Sequence, residues 1–154
     1  MNRAEPAPPQ HAHTPALRLL EVAAGLVFRG GRLLITQRPA GTHLAGLWEF
    51  PGGKREPQET FEQCLQRELR EELGVEVTVG PWVETIEHEY PGRHVHLEFF
   101  RCELAAGEPQ ALDCAAVKWV SPEQLADHAF PAADERLLAR LRRDLALWGE
   151  TPAA

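Results

Sequence analysis

One segment of the chain constrains its fold more than any other: a predicted helix, starting after Thr60, whose apolar side also carries acidic residues. Thr60 and Gln63 have the spacing of a capping box, and Gly74 is typical of a helix C-terminus. Large apolar residues recur at every fourth position between them, namely Phe61, Leu65, Leu69 and Leu73. This spacing places them on one side, so the helix is expected to pack that side against a core.

Two glutamates lie on or beside the same side of this helix. At about 100° per residue from the first helical position, Glu72 falls at about 20° and Glu68 at about −20°, whereas Glu71 falls at about −80°. Burying unpaired carboxylates is costly, and like charges four residues apart repel each other. Arg67 and Arg70 are expected to point mostly to the opposite side. A divalent cation such as Mg²⁺ would compensate the charge; the alternative is a solvated acidic face paired to arginines.

The residues before the helix fit a site for a metal ion and a phosphate. Gly52 and Gly53 follow Pro51, and paired glycines allow the backbone to turn tightly and approach a ligand. A carbonyl there can bind a hard cation, since such cations accept backbone oxygens. An ordinary turn is the alternative.

The remaining pattern predicts one domain of mixed strands and helices. Strands are predicted over 20–28, 32–37, 75–79, 82–90, 94–104 and 117–120, with a short extended piece at 48–50. Further helices are predicted at 121–123 and over 133–148. The proline-rich residues 1–16 and residues 150–154 are expected to be flexible, which leaves 17–149 as the domain. The fold class is therefore α/β or α+β.

Charge restricts the partners that this chain can bind. Sixteen basic and 23 acidic residues give a net charge of −7 with His neutral. Such a chain lacks the basic surface needed for direct binding to DNA or RNA, but it can bind a phosphate through a metal cation. We see no run of about 18 apolar residues and no signal peptide, so we expect no membrane partner and a cytoplasmic location. A monomer is the default expectation.

The stretch 53–75 resembles the Nudix box, G-x5-E-x7-R-E-U-x-E-E-x-G-U, in which U is a bulky aliphatic residue. Every defined position is filled, by Gly53, Glu59, Arg67, Glu68, Leu69, Glu71, Glu72, Gly74 and Val75. Outside the box, about 19–145 resembles the MutT-type nucleoside triphosphate pyrophosphohydrolases. The resemblance implies a Nudix fold, a mixed β-sheet sandwiched between helices. It also implies hydrolysis of a nucleoside triphosphate to the monophosphate and pyrophosphate, with Mg²⁺ or Mn²⁺, by attack of water at the β-phosphorus.

The resemblance also assigns roles to residues of the box. The metal ligands would be three carboxylates and one backbone carbonyl: Glu68, Glu71, Glu72 and Gly52. Arg67 would orient Glu68, and Glu59 would brace the loop. Asp113, in a later loop, would lie near the metals and act as a base; the alternative for Asp113 is an acid on a surface loop.

Substrate-binding residues outside the box are implied by the same resemblance: Arg38, His43, Glu49, Phe50, Tyr90, Arg93 and Asp134. For Phe50 and Tyr90 a place in the core is the alternative. Asp134 stands where MutT has Asn and where the CTP pyrophosphohydrolase branch has Asp. An ionised Asp only accepts hydrogen bonds, which suits the cytosine amino group, whereas a protonated Asp can donate one to an oxidised guanine. A helix N-cap is a third possibility for Asp134.

Two classes of function are therefore carried forward. The first is a MutT-like pyrophosphohydrolase that removes 8-oxo-dGTP from the nucleotide pool, with CTP or a modified dCTP as the alternative substrate. The second is a non-catalytic module that senses nucleotides on the same fold. Such modules usually have a degraded box, so the intact box favours the enzyme.

Overall fold

A mixed β-sheet organises residues 18–149, which are the residues that the computed structural model describes. The strands are β1 (Arg18–Arg29), β2 (Arg32–Gln37), β3 (Trp48–Glu49), β4 (Gly52–Lys54), β5 (Glu76–Tyr90), β6 (Arg93–Ala106) and β7 (Ala116–Val120). The α-helices are α1 (Phe61–Leu73), α2 (Pro122–Leu125) and α3 (Glu135–Arg143), with 3₁₀ turns at Ala132–Asp134 and Leu145–Trp148. The expected flexible segments, 1–16 and 150–154, lie outside the described residues.

The strand order brings distant parts of the chain together. The order is β3-β2-β1-β6-β5, while β4 pairs with β1 and β7 pairs with β2. Strands β1 and β6 run parallel, and their register pairs Val22 with Leu97 and Ala24 with Phe99. Because β4 lies antiparallel to the same part of β1, the segment that precedes α1 lies close to the middle of β6.

Helices cover both faces of the sheet, as the fold class predicted. Helix α1 buries Cys64, Leu65, Leu69 and Leu73 against one face. Leu125 of α2 and Leu137 and Leu141 of α3 pack against the other face, around Phe99. None of the helices within residues 18–149 is both long and apolar enough to cross a lipid bilayer.

Strand β5 joins two strands that were predicted separately, at 75–79 and at 82–90. It has bulges between Val79 and Glu84. Pro81 lies between the two predicted strands. Strand β5 is the edge of the sheet, and an edge tolerates proline because its missing N–H is not needed for pairing on the free side. Part of that free edge is covered by α3, because Arg136 donates to the Thr85 carbonyl at 2.8 Å and Arg140 donates to the Val83 carbonyl.

The prediction of a single helix over 133–148 is wrong, because the segment is divided into a 3₁₀ turn, helix α3 and a second 3₁₀ turn. Helix α3 ends at Arg143, where Asp144 adopts φ −97° and ψ 77°, and a 3₁₀ turn follows. The change of direction buries Trp148, whose indole N–H donates to the Leu141 carbonyl at 2.9 Å. Its ring packs edge-on against Phe28 at 5.4 Å between centroids. Burial of this large side chain outweighs continuation of the helix.

Candidate active site

Helix α1 begins and ends where its capping residues predict. The Thr60 hydroxyl accepts from the Gln63 N–H at 3.1 Å, and the Gln63 side chain accepts from the Thr60 N–H at 2.9 Å. Gly74 ends the helix with φ 68°, a left-handed conformation that suits glycine. These caps fix the position at which the acidic residues of α1 face β4.

The two glycines before α1 form, with Lys54, strand β4, where the sequence had predicted a turn. A Cβ at Gly52 would lie 1.9 Å from the Ala23 carbonyl oxygen, so only glycine allows β4 to approach β1 this closely. A Cβ at Gly53 would lie 2.2 Å from the carboxyl carbon of Glu68. The backbone of β4 and the Glu68 carboxylate therefore touch, and the contact requires glycine.

Arg67 connects the loop before α1 to the acidic side of the helix. Its guanidinium contacts Glu59 at 2.6 Å, Glu68 at 2.9 Å and Glu71 at 3.4 Å, and it also donates to the Lys54 carbonyl at 3.1 Å. The expectation that Arg67 points mainly to the opposite side is wrong, since its long side chain crosses to the carboxylates. The hydrogen bond from Arg67 lowers the pKa of Glu59 to about 2.

Two carboxylates of α1 are held in surroundings that oppose their ionisation. Burial raises the pKa of Glu68, against the opposing effect of Arg67. Burial, followed by the charges of Glu68 and Glu49, raises the pKa of Glu72 to about 8. The Glu71 side chain is 59% exposed on the same helix. This part of the site has an excess of negative potential that a cation would relieve.

The donor chemistry of this cluster fits a hard divalent cation. The Glu68 carboxylate lies against Gly53, Glu72 is hydrogen-bonded to the backbone of Gly52, and Glu71 shares Arg67 with Glu68. Carboxylate and carbonyl oxygens are the ligands that Mg²⁺ and Mn²⁺ bind. The raised pKa of Glu72 is a second indication, because a bound cation stabilises the ionised form. Within residues 18–149, no three acidic, histidine or cysteine side chains are already grouped closely enough to hold a metal ion.

Asp113 lies on an exposed loop at the C-terminal end of α1. The loop is attached to the helix by the N–H groups of Gln110 and Leu112, which donate to the carbonyls of Leu73 and Glu72 at 3.0 and 3.1 Å. The charge of Asp113 contributes to the raised pKa of Glu72, so the two carboxylates interact. This placement is compatible with both predicted roles of Asp113, a catalytic base near the metals and an acid on a surface loop.

An open cavity of about 380 Å³ adjoins the acidic cluster at Glu72. It is lined by all seven residues that were predicted to bind substrate: Arg38, His43, Glu49, Phe50, Tyr90, Arg93 and Asp134. They come from four separate parts of the chain, which the sheet brings together. Phe50 also belongs to the core, since it is 5% exposed and stacks on Phe130 at 5.2 Å.

Sequence reasoning missed the apolar floor of this cavity. The floor consists of Val22 and Ala24 from β1 and Val95, Leu97 and Phe99 from β6. Apolar and polar residues alternate along β6, which places these three side chains on one face of the sheet. That the face lines a cavity depends on the parallel pairing of β1 with β6, which has no local signal.

The mouth of the cavity is narrowed from two sides. The His43 ring meets the Tyr90 ring edge-on at 5.6 Å between centroids, and the Arg93 guanidinium lies 5.7 Å from the Tyr90 ring centre. Arg38 holds the loop that carries His43, because it donates to the His43 carbonyl at 2.6 Å and to Glu49 at 3.0 Å. An aromatic and cationic rim suits a flat, negatively charged ligand such as a nucleotide.

Asp134 lies in the wall of the cavity and is 7% exposed. It precedes α3, yet its side chain makes no capping hydrogen bond, so the helix-cap interpretation is wrong. Burial, followed by the charge of Glu49, raises the pKa of Asp134 to about 6. This carboxyl group can change its protonation state near neutral pH, and it is placed to contact a ligand.

Comparison with known proteins supports the fold described above. The profile of the NUDIX domain matches residues 23–140. A CTP pyrophosphohydrolase of Escherichia coli K12 is 44% identical over 122 residues, which cover 79% of this chain and 90% of that protein. An 8-oxo-dGTP diphosphatase of the same strain is 38% identical over 128 residues, covering 82% and 99%. The solution structure of the E. coli ORF135 protein superposes with a TM-score of 0.70 at 40% identity, covering 90% and 97%.

Proposed function

This chain belongs to the Nudix family, as a MutT-like hydrolase of nucleoside triphosphates, and from that premise we propose that it converts 8-oxo-dGTP to 8-oxo-dGMP and pyrophosphate. This reaction removes an oxidised precursor from the nucleotide pool. The observation that carries the proposal is that one cavity is lined both by Glu72 of the acidic cluster of α1 and by Asp134. One part of the site fits a polyphosphate with its cation, and the other fits a base.

Hydrolases of this family use a divalent cation, and we propose Mg²⁺, with Mn²⁺ as a substitute. Glu68, Glu71, Glu72 and the Gly52 carbonyl would hold it. When bound, the cation neutralises charge on the polyphosphate and lowers the pKa of water. The phosphate end of the nucleotide would therefore lie toward α1 and β4, and the base toward Asp134.

The residues around the cation would position the reacting groups. Arg67 contacts Glu59 at 2.6 Å and Glu68 at 2.9 Å and so holds Glu68 in place, and the missing Cβ of Gly53 leaves room for the Glu68 carboxylate. Asp113 would take up a proton from the attacking water. The water oxygen bonds to the β-phosphorus, and the bond from that phosphorus to the oxygen shared with the α-phosphorus breaks. The nucleoside monophosphate leaves with that oxygen.

Asp134 would read the base. A protonated carboxyl group donates one hydrogen bond and accepts another, as the amide of Asn does. Because burial raises the pKa of Asp134 to about 6, the protonated form is accessible close to neutral pH. This form supplies the donor that recognition of an oxidised guanine requires.

A second candidate substrate is supported by the same residue. Ionised Asp134 only accepts hydrogen bonds, and the amino group of cytosine supplies a donor. The similarity to a CTP pyrophosphohydrolase also favours CTP or a modified dCTP. The two candidates require opposite protonation states of one carboxyl group.

A nucleotide panel tests the proposal. Pyrophosphate release with Mg²⁺ would be measured for 8-oxo-dGTP, dGTP, CTP, dCTP and 5-methyl-dCTP and compared as kcat/KM. We expect the highest value for 8-oxo-dGTP. A preference for cytosine nucleotides would favour the second candidate, and calorimetric binding without turnover would favour a nucleotide-sensing module.

The pH dependence of substrate choice is expected to follow Asp134. As the pH falls from 8 to 5, the ratio of kcat/KM for 8-oxo-dGTP to that for 5-methyl-dCTP should rise about 10-fold or more, with an inflection near pH 6. The sign follows because the neutral form, present below the pKa of Asp134, is the one that donates. Any titration that changes kcat/KM equally for both substrates leaves this ratio unchanged.

Asp134→Asn should abolish the inflection, since an amide does not titrate. Asp127→Asn, at an exposed acid outside the cavity, is the matched control and should retain it. If the Asp134→Asn variant keeps the inflection, the titrating group is not Asp134 and the proposed role of Asp134 in base recognition is wrong.

A further inference from the structure

A second cavity lies directly beside the nucleotide cavity. This groove of about 790 Å³ runs between the free edge of β5 and the start of α3. Its lining includes Ile86 and His88 from β5, Ala132 and Ala133 from the 3₁₀ turn, and Ala139 from α3. Three of the five residues that line it opposite β5 are alanines; of the other two, Arg136 reaches the Thr85 carbonyl of β5 at 2.8 Å.

The two cavities meet at Ala133. Ala133 lines both, and its side chain is only a methyl group. On the opposite side, His88 lines the groove and Tyr90 lines the nucleotide cavity, with their rings 4.5 Å apart. Asp134, the next residue after Ala133, is the group proposed to read the base. The end of the nucleotide cavity that would receive the base is therefore the end that adjoins the groove.

We propose that this groove accepts a substituent carried on the edge of the base, so that the enzyme hydrolyses nucleotides whose bases are enlarged at that edge. The proposal rests on the proposed function, because Asp134 must contact the base. The edge is the one that carries the amino group and C5 of cytosine, or O6 and N7 of guanine. A group attached there would pass Ala133 and enter the groove.

The lining of the groove indicates the chemistry of the substituent. The buried Ile86 side chain and the alanines offer contact to an apolar stem. Glu135 contributes negative charge at the rim, whereas Glu87 is paired with His96 at 2.9 Å and Arg136 with Glu84 at 3.0 Å. Uncharged or positively charged groups of three or more non-hydrogen atoms would therefore be accepted, and anionic groups would be repelled.

The test compares matched pairs of nucleotides. The pairs are 5-propynyl-dCTP and 5-aminoallyl-dCTP against dCTP, and 7-propynyl-7-deaza-dGTP against 7-deaza-dGTP. We expect each substituted nucleotide to keep a kcat/KM within about threefold of its unsubstituted partner. A loss of more than about 30-fold with every substituent would overturn the proposal, because the base would then face a closed wall.

Variants that fill the groove provide the second test. Ala132→Leu and Ala139→Leu, made singly and together, change exposed alanines that line the groove and not the nucleotide cavity. The double variant should lower kcat/KM for the substituted nucleotides about 10-fold and leave the unsubstituted ones within about twofold. Ala126→Leu, at an exposed alanine outside both cavities, should change neither.

The outcomes separate this proposal from the proposed function. Turnover of unsubstituted nucleotides with rejection of all substituted ones overturns the proposal for the groove and leaves the proposed function in place. Equal losses for both kinds of nucleotide in the double variant also overturn it, because the groove would then serve only the fold. Absence of turnover with every nucleotide, substituted or not, overturns both.

Discussion

Replacing Glu72 with Gln is expected to lower kcat for pyrophosphate release by about 10³-fold, a loss of the size seen when one electrostatic contact to a transition state is removed. Glu72 is the carboxylate that lies on both the acidic side of α1 and the wall of the nucleotide cavity. Gln keeps the shape of the side chain but lacks the charge that a divalent cation requires. Steady-state kinetics with Mg²⁺ and 8-oxo-dGTP measures the effect.

Glu62→Gln is the matched control for this change. Glu62 lies in the first turn of the same helix, is exposed, and lies outside the acidic cluster. It should keep kcat within about twofold. Equal activity of the Glu72→Gln variant and the unchanged protein would show that the acidic cluster of α1 has been assigned the wrong role.

The same Glu72 variant should not lose stability in the metal-free protein. The pKa of Glu72 is about 8 in the folded state against an ordinary value of 4.5. Its contribution to stability is therefore complete below about pH 4.5 and is lost as the pH rises through about 8. Gln does not ionise, so with EDTA the Tm of the variant should exceed that of the unchanged protein increasingly from pH 6 to pH 9. This separates loss of activity from loss of fold.

Gly53→Ala is expected to have the second largest effect, a fall in kcat of at least about 10²-fold with the fold retained. The added Cβ would lie 2.2 Å from the Glu68 carboxyl carbon, so the carboxylate must move away from β4. The atoms that must move are the end of a flexible side chain, and the backbone can stay in place. Kinetics with Mg²⁺ and a thermal melt measure the two effects separately.

Two other glycines provide the comparison for Gly53→Ala. Gly149→Ala should be silent, because its Cβ would meet nothing closer than the Ala146 carbonyl oxygen at 3.6 Å. Gly52→Ala should disrupt folding, because its Cβ would lie 1.9 Å from the Ala23 carbonyl oxygen, a backbone atom. Full activity of Gly53→Ala would contradict the close contact between β4 and Glu68.

The parts of the site that sequence predicts well are those set by local spacing. The limits of α1 follow from Thr60, Gln63 and Gly74, and helical geometry places Glu68 and Glu72 beside the buried stripe. The resemblance to a family adds the residues that line the nucleotide cavity. Both depend on patterns that can be read along the chain.

Other features depend on contacts that spacing does not encode. The side chain of Arg67 crosses to Glu59 and Glu68 because its guanidinium can bridge several carboxylates, which a helical wheel does not represent. The division of the last helix depends on the burial of Trp148 against Phe28. The groove beside Asp134 exists because Ala132 and Ala133 come to lie opposite β5, a strand more than forty residues earlier.

The central claim is that the acidic cluster of α1 directs water to the β-phosphorus of a nucleoside triphosphate. Hydrolysis of 8-oxo-dGTP in H₂¹⁸O, with Mg²⁺ and with EDTA, tests it most directly. The products are separated, and the ¹⁸O in each is measured by mass spectrometry. We predict ¹⁸O in pyrophosphate, none in the monophosphate, and no products with EDTA. Label in the monophosphate, or release of orthophosphate instead of pyrophosphate, would contradict the account.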